Sequence, residues 1–529
     1  MQNRLYHHIK NLLFPCVAFS MAAGFLSAIL VTAFKLAAEK VIHLSTTIYD
    51  TVRGNAVLLP LLVLGAAAIG LVASYILSRS HVCRGGGIPT SVAAIRGIVS
   101  FRWLASIVVL PFAALLSFLC GLPLGTEGPC VQMGTAIGNG VVSRLGAKKH
   151  QGWRRYIMTG GASAGFSIAT SCPITAIIFS MEELHKHFSP MLLAVASISV
   201  MTADFTVQVL AGLGIGSVGL FHIPEIQTIA PRLLFAPLLI GLASGGCSIL
   251  FTRLYHFVDK AMHAVLKKLP TRLVFPILFA CLAVVGFFLS DALGTGHSLV
   301  DTLFEGHAIW YLLILVFLVR AIGMMVSNTA GVTGGVFLPT LAFGAMIGSL
   351  CAEIMIALGL IAPEHYILMV ILGIASFLGA TSRIPITACI FAVEAMHGIH
   401  NALAIIIATT VAFLIAEASG LEDFTDTVIE AKLRSMKKGK KPTVIEVPLT
   451  AARDAFAIGK EVRDILWPNS CVVVSLKRAS GHHGARGIDE GDVITVHYKT
   501  YDPTATAEEL RALMGEQSEQ VERLMNPSI

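Results

Sequence analysis

Three clusters of glycine and proline interrupt long apolar stretches and have the composition of helix starts. They read GGGIP at 85–89, GTEGP at 125–129 and GVFLP at 335–339. Proline is tolerated in a first helical turn, and glycine lets the preceding backbone turn sharply. Helix N-termini present free N–H groups and a positive dipole end, so three of them meeting would form an anion site without lysine or arginine. Glycines used only for close helix packing would not explain proline at the same offset.

Glu127 lies inside the second cluster, where its carboxylate would occupy the anion site. A carboxylate at the centre of a bilayer costs about 2.5–3.5 kcal/mol on insertion scales, so a functional role is expected. The ionised group would compete with the anion and the protonated group would step aside, which ties anion movement to a proton. The alternative is a buried carboxylate that caps its own helix.

Two further acids, Glu182 and Glu183, end the apolar run from Ile174 to Met181. Acids at the end of a membrane helix are often only solvated surface. Glu182 also has a counterpart in a sequence repeat, described below, which favours a structural role. Glu183 has none.

The composition divides the chain into a membrane part and a soluble part. Residues 432–529 hold 28 charged side chains in 98 residues, whereas the preceding 431 residues hold 42, and the mean hydropathy of the whole chain is +0.77. Eleven apolar stretches are long enough, or nearly so, to cross a bilayer. They are 11–34, 55–78, 103–122, 156–180, 189–215, 233–251, 273–290, 308–326, 336–360, 366–380 and 402–418. We therefore predict an all-α polytopic membrane protein, with a retained first helix rather than a signal peptide.

An internal repeat divides the membrane part into two related halves, about 15–215 and 225–420. PCVQMGTAIG at 129–138 matches PTLAFGAMIG at 339–348, and PITAIIFSME at 173–182 matches PITACIFAVE at 385–394. Paired halves are typical of transporters whose site lies at the repeat interface. The repeat itself does not fix whether the halves are parallel or inverted.

Basic residues predict the orientation and a linker. Arg144, Lys148, Lys149, Arg154 and Arg155 crowd one loop, and Lys432 to Lys441 follow the last membrane segment, so both are expected in the cytoplasm. We predict a membrane domain at 1–430, a basic linker at 431–442, a small α+β cytoplasmic domain at 443–515 and a tail at 516–529. In the α+β domain we expect strands at 443–447, 471–476 and 493–498, helical spacing at 451–466 and a helix at 507–525.

The three glycine-proline motifs and their order resemble those of the CLC chloride channel and transporter family over residues 15–430. The resemblance implies an inverted-repeat fold of about 18 helices in a homodimer. The 443–515 region resembles the TrkA-C regulatory module through AIGK at 457–460, VVV at 472–474 and EGD at 490–492. That second resemblance implies dimerisation and a possible small-molecule ligand.

Site residues follow from the CLC resemblance position by position. Glu127 resembles the external gating glutamate, and Glu183 the internal proton glutamate that separates antiporters from channels. The implied anion-binding positions are Gly86, Gly87, Ile88, Thr126, Gly128, Val336, Phe337 and Phe424. Thr126 stands where the usual motif has arginine. Gly86 stands where many members have serine, and Phe424 best matches the inner-gate tyrosine, so the two hydroxyl donors expected at these positions are missing. Gly128-Pro129 argues against the fluoride-specific branch.

The leading hypothesis from the sequence is a chloride/proton antiporter, multi-pass in a prokaryotic inner (plasma) membrane, with both termini cytoplasmic. Its nearest rival is a passive anion channel of the same fold. A cation transporter is disfavoured because the motifs offer N–H donors rather than carbonyl or carboxylate rings. We predict no enzymatic activity, metal site or cofactor, because no nucleophile-base cluster or metal-ligand spacing occurs. We predict no nucleic-acid partner, because the basic residues behind the net charge of +6 lie beside apolar segments.

Overall fold

A computed structural model describes residues 14–99, 102–146, 148–216, 221, 223–306, 309–436, 443–453, 455–468, 471–479, 487–500 and 503–515. Among these residues, the first membrane half contains eight α-helices. They are α1 (Phe14–Gly54), α2 (Leu59–Ser78), α3 (Ile88–Ile95), α4 (Trp103–Leu119), α5 (Glu127–Leu145), α6 (Arg154–Thr170), α7 (Pro173–Phe179) and α8 (Pro190–Gly212). A π-helical turn, Ser180–His185, continues α7.

The second membrane half contains nine α-helices among the residues described. They are α9 (Phe235–Lys268), α10 (Thr271–Phe288), α11 (His297–Glu305), α12 (Trp310–Ala330), α13 (Phe337–Ala357), α14 (Tyr366–Thr381), α15 (Pro385–Ala395), α16 (Ala402–Ala418) and α17 (Phe424–Met436). In the described part of the chain, nine helices are long and apolar enough to cross a membrane. This confirms a multi-pass, mostly helical membrane protein.

The apolar stretch 156–180 forms two helices rather than one. The chain breaks after α6 at Ser171, whose φ is 56°, and Pro173 then starts α7. The left-handed residue and the missing proline N–H both stop the hydrogen-bond ladder.

The two halves are inverted relative to each other. The Glu394 carboxylate, at the end of α15, accepts hydrogen bonds from the Ile174 and Thr175 amides at the start of α7, at 2.9 and 2.7 Å. Glu182, after α7, accepts from the amides of Ile386 and Thr387 at the start of α15, at 3.0 and 2.6 Å. Each helix start therefore lies at the other helix's end, which requires antiparallel repeats, and the structural role expected for Glu182 is confirmed.

The C-terminal region is a small α+β unit. Its strands β1 (Thr443–Thr450), β2 (Cys471–Lys477) and β3 (Val493–Thr500) form an antiparallel sheet in the order β1-β3-β2, followed by α18 (Pro503–Met514). The three predicted strands are confirmed. The helical spacing at 451–466 is wrong: the described residues there form turns and a short 3-10 helix, Val462–Asp464. The predicted helix 507–525 is confirmed only to Met514, and residues 516–529 lie outside the described ranges.

The α+β unit packs directly on the membrane part. Phe456 lies edge-on to Trp153, with ring centroids 5.3 Å apart, and both belong to one apolar cluster that also contains strand residues. The Tyr156 hydroxyl donates to the Asp464 carbonyl and accepts from the Leu466 amide. Residues of both parts therefore bury Trp153 and Tyr156.

Arg155 also belongs to this contact, although the sequence placed it among basic residues facing the cytoplasm. Its guanidinium donates to the Trp467 carbonyl at 2.6 Å and pairs with Glu509. Only 9% of Arg155 is exposed. The basic loop and the α+β unit consequently lie on the same side of the membrane part.

Candidate anion and proton site

The three glycine-proline clusters meet at the centre of the membrane part, each at a helix start. The helices α3, α5 and α13 begin at Ile88, Glu127 and Phe337, as predicted. A Cβ placed on Gly128 would lie 2.6 Å from the Gly335 Cα and 3.1 Å from the Gly87 Cα. No side chain larger than hydrogen fits at this junction, so the glycines allow the three helix starts to converge.

A pair of backbone hydrogen bonds joins the two halves at the same place. The Gly125 amide donates to the Gly335 carbonyl and the Gly335 amide to the Gly125 carbonyl, both at 2.7 Å. These residues occupy equivalent positions in the two repeats, so the pair lies on the pseudo-twofold axis. Helix starts from both halves therefore direct their N–H groups and positive dipole ends toward one region, which suits an anion.

The predicted anion-binding residues other than Phe424 all lie on or beside these three helix starts. Ile88, Val336 and Phe337 are buried, with 6%, 8% and 5% of their surfaces exposed. The Gly87 amide is occupied: it donates to the Gln132 side-chain carbonyl at 2.7 Å. Gln132, which the sequence analysis did not select, therefore competes for one of the donors expected to face the anion.

Glu127 is the first residue of α5 and is 1% exposed. The Thr126 hydroxyl donates to its Oε1 at 3.1 Å, and the backbone of Leu338 in α13 lies beside the carboxylate. The carboxylate thus lies between a helix start of each half, where an anion would compete with it. This position favours the gating interpretation over a simple cap of its own helix.

Glu183 lies in the π-helical turn and is 2% exposed, not solvated at the surface. Its Oε1 accepts a hydrogen bond from Thr425 at the start of α17, while no described group hydrogen-bonds its Oε2. Arg96 fixes the turn by donating to the Glu183 and Leu184 carbonyls, both at 3.2 Å. A buried carboxylate with one unpartnered oxygen can accept a proton.

A network of ion pairs lies close to Glu183. Lys186 contacts Asp423 and also Asp426, the latter at 2.6 Å, and Asp426 in turn pairs with Arg96 at 2.9 Å. This network joins α3, the π-helical turn and α17. Because two carboxylates alternate within it with the Lys186 ammonium and the Arg96 guanidinium, it offers hydrogen-bonding partners for water at the Glu183 end of the membrane part.

A row of phenylalanine rings runs from the central junction toward Glu183. Phe337 lies edge-on to Phe166 at 5.0 Å, and Phe166 stacks on Phe179 at 4.3 Å. Phe179 is four residues before Glu183. The rings separate the two carboxylates with apolar surface, so a proton would need a path of its own between them.

Phe424 begins α17 and is 2% exposed. Its ring packs against Phe251 at 5.4 Å and edge-on to Tyr255 at 5.0 Å. The Tyr255 hydroxyl donates to the Asn328 side chain at 2.9 Å. Phe424 brings no donor to an anion, and the hydroxyl of its neighbour Tyr255 already has an acceptor.

Lys432 differs from its expected role as a membrane-surface anchor. It is half-buried on α17, and its ammonium donates to the Arg84 carbonyl at 3.0 Å and the Thr90 hydroxyl at 2.7 Å. The ammonium lies close to the first glycine cluster and adds positive charge there. The rest of the predicted basic linker, 437–442, lies outside the described residues.

Fold and site together define an inverted-repeat membrane transport protein in which helix N-termini of both halves meet at a buried carboxylate. A family model described as voltage gated chloride channel matches residues 65–417, and the chain belongs to this family.

Curated relatives cover most of the chain. The H(+)/Cl(-) exchange transporter ClcA of Vibrio cholerae serotype O1 is 27% identical over 440 residues, which are 80% of this chain and 91% of the relative. ClcA of Yersinia pestis is 24% identical over 459 residues, 84% of this chain and 94% of the relative.

Solved structures have the same fold. A slow cyanobacterial Cl-/H+ antiporter superposes with a TM-score of 0.72 at 21% identity, covering 80% of this chain and 99% of that one. A CLC-type fluoride/proton antiporter gives a TM-score of 0.64 at 22% identity, covering 77% and 96%. These likenesses support the predicted inverted-repeat architecture.

Proposed function

We propose that this protein exchanges chloride for protons across a membrane. The observation that carries the proposal is the pair of buried carboxylates, Glu127 at the meeting of helix starts and Glu183 at the opposite end of a phenylalanine row. The curated relatives named H(+)/Cl(-) exchange transporter support the same activity.

In this mechanism Glu127 alternates with the anion. Its ionised carboxylate occupies the region served by the starts of α5 and α13, and protonation removes the charge that competes with chloride. The anion is then held by backbone N–H groups at the clusters containing Gly86, Gly128 and Val336, without a full positive charge that would trap it. One proton is thereby linked to each exchange between carboxylate and anion.

Glu183 supplies protons to Glu127 from the side on which the α+β unit lies. The Thr425 hydroxyl holds one oxygen, leaving the other to receive a proton. A passive channel, the second candidate, has no use for this second carboxylate, because its anion flux needs no proton acceptor. Glu183 is therefore the residue that favours the antiporter over the channel.

Two neutral substitutions test these roles in purified protein reconstituted in liposomes under opposed chloride and proton gradients. Glu127→Gln should leave chloride flux that neither moves protons nor responds to pH. Glu183→Gln should also stop proton movement, but chloride flux should keep its pH response because Glu127 still titrates.

The matched control is Glu364→Gln, at an acid with a 66% exposed side chain, which should behave as wild type. Uphill proton pumping retained in Glu183→Gln would move the acceptor role to another group, with Glu182 the first to test. A wild-type reversal potential that follows chloride alone would favour the channel instead.

The remaining assignments extend this proposal. We place the α+β unit, the basic loop and both termini in the cytoplasm of a prokaryotic inner membrane, because basic residues concentrate on that side. The family resemblance supports a homodimer with one pathway in each subunit. The TrkA-C resemblance of 443–515 supports a regulatory domain with a small-molecule ligand, contacting the membrane domain of 1–430 through Trp153 and Tyr156.

A further inference from the structure

A loop of the α+β unit, residues 462–467, directly contacts the chain beside the π-helical turn that carries Glu183. The His187 imidazole lies just beyond that turn, and its Nε2 donates to the Arg463 carbonyl of the loop at 3.1 Å. The His187 amide donates to the Met181 carbonyl at 3.0 Å, so the residue that meets the loop also closes the turn. The position of the loop therefore bears on the shape of the turn around Glu183.

A second connection from the same loop runs through α6. The Tyr156 hydroxyl donates to the Asp464 carbonyl of the loop and accepts from the Leu466 amide. Three residues further along α6, the Thr159 hydroxyl lies 2.7 Å from His185 Nε2 in the π-helical turn. Residues three apart are neighbours on a helix surface. One short stretch of α6 therefore connects the loop to the turn.

The bond between Thr159 and His185 does not depend on the charge of the histidine. A threonine hydroxyl carries a single proton, and that of Thr159 is donated to the Arg155 carbonyl at 2.8 Å. His185 Nε2 is therefore the donor, and a histidine can carry a proton on Nε2 whether it is neutral or charged. The connection should persist over the pH range in which the proposed exchange operates.

A third connection lies beside Arg96, which donates to the Glu183 carbonyl. The Arg155 guanidinium pairs with Glu509 of α18, lies against Gly97 and leaves no room there for a Cβ. Gly97 follows Arg96 directly in the chain. The α+β unit therefore packs, through this ion pair, beside the arginine that fixes the turn.

We propose that the loop 462–467 positions Glu183, and that the α+β unit thereby controls proton delivery without controlling the anion path. The three connections end on the turn and on Arg96, and their residues are not those of the glycine-proline clusters. In the held position the Glu183 carboxylate lies beside Thr425, with its second oxygen open to a proton. Displacement of the loop would free the turn and slow proton delivery. This inference rests on the proposed antiport, in which Glu183 accepts the proton.

Tyr156→Phe tests the positioning, because it keeps the ring and removes only the hydroxyl that two loop groups share. Hydrogen exchange on the full-length protein should be about tenfold faster for the amides of 181–187, because losing neutral hydrogen bonds of this kind weakens a contact by about that factor. The matched control is Tyr49→Phe in α1, whose hydroxyl donates to the Cys120 carbonyl at 2.9 Å. The control should leave exchange in 181–187 at the wild-type rate. This measurement does not depend on antiport.

Transport in liposomes under opposed chloride and proton gradients gives the functional readout. Tyr156→Phe should lower the number of protons moved per chloride, whereas chloride flux and the Tyr49→Phe variant should stay at wild-type values. His187→Ala should also lower that number. His187→Gln should restore it, because a glutamine amide can still donate to the Arg463 carbonyl.

The proposal is wrong if exchange in 181–187 is the same in wild type and Tyr156→Phe, or if His187→Gln loses as many protons per chloride as His187→Ala. A parallel fall of proton and chloride movement in Tyr156→Phe would indicate general damage to the fold and also overturn it. Failure of antiport itself would appear in wild type as chloride flux without protons, and hydrogen exchange would then decide the positioning alone.

Discussion

Lys460 makes the attachment of the α+β unit depend on pH. It is 8% exposed, its ammonium donates to the Phe456 carbonyl, and it lies 3.3 Å from the Phe456 ring centroid and 5.7 Å from that of Trp153. Burial lowers the pKa of Lys460 from 10.5 to about 7. Between these two values the unfolded chain binds a proton that the folded chain does not, so the free energy of unfolding rises with pH.

The size of the change in the free energy of unfolding follows from the difference between the unfolded and folded pKa of Lys460. A pKa lowered from 10.5 to about 7 corresponds to about 5 kcal/mol at about 1.4 kcal/mol per unit. The Phe456 ring stabilises the charged ammonium by up to about 2 kcal/mol, which leaves about 3 kcal/mol. This stability is fully present above pH 10.5, and the loss of about 3 kcal/mol is complete once the pH has fallen by about two units below that value.

Lys460→Met should remove this dependence. Urea unfolding can be followed through Trp153 and Trp467, two of the four tryptophans, which both lie at the contact between the α+β unit and the membrane part. We expect the variant to be more stable than wild type at pH 7 by about 3 kcal/mol, and the two to converge at pH 10. Lys477→Met, at an exposed lysine of β2, should keep the wild-type slope. Parallel wild-type and Lys460→Met curves from pH 7 to 10 would refute the reasoning.

Three further predictions concern the anion path, the halves and the α+β unit. Gly86→Ser should raise the preference for chloride over nitrate in flux assays. The control Gly86→Ala also displaces the Gln132 oxygen, which lies 2.7 Å from the new Cβ, but adds no donor. An equal change in selectivity in the two variants would show that the serine hydroxyl is not the cause. Glu394→Gln should lower the free energy of unfolding by about 1–2 kcal/mol because its hydrogen bonds lose their charge, and Glu182→Gln should match it by symmetry; a cost for only one would contradict equivalent roles. Phe456→Ala should weaken the packing of the α+β unit on the membrane part by about 3–5 kcal/mol, which would appear as faster hydrogen exchange in β1. Unchanged exchange would show that the Phe456 ring does not hold the two parts together.

The helix starts could be predicted because their signals are local. Proline and glycine act on the backbone within a few residues, so the clusters ending at Pro89, Pro129 and Pro339 indicated starts that the structure places at Ile88, Glu127 and Phe337. The repeat likewise predicted that the site lies at the interface between the two halves.

The surroundings of Glu183 could not be predicted because they come from distant parts of the chain. Thr425 is 242 residues away, and no local pattern marks a threonine that donates to a carboxylate. The predicted helix at 451–466 was wrong for a related reason. Apolar residues there, such as Phe456, pack on Trp153 of the membrane part, and their spacing along the chain happens to match that of a helix. Lys432 begins a basic run in the sequence, but its acceptors, the Arg84 carbonyl and the Thr90 hydroxyl, lie 348 and 342 residues away.

The reciprocal bond between Gly125 and Gly335 has a consequence for how such a protein can move. Separating the halves at the centre would strand two N–H and two C=O groups, at about 1–3 kcal/mol each. A total of about 4–12 kcal/mol would make the parted form rarer than the joined one by at least about a thousandfold. Nearly all molecules therefore keep the two halves joined at this point, and in the proposed exchange cycle we expect only small parts to move. The turnover rate should depend on the movement of the Glu127 carboxylate and on the access of water to it, so a more rigid scaffold should leave that rate almost unchanged.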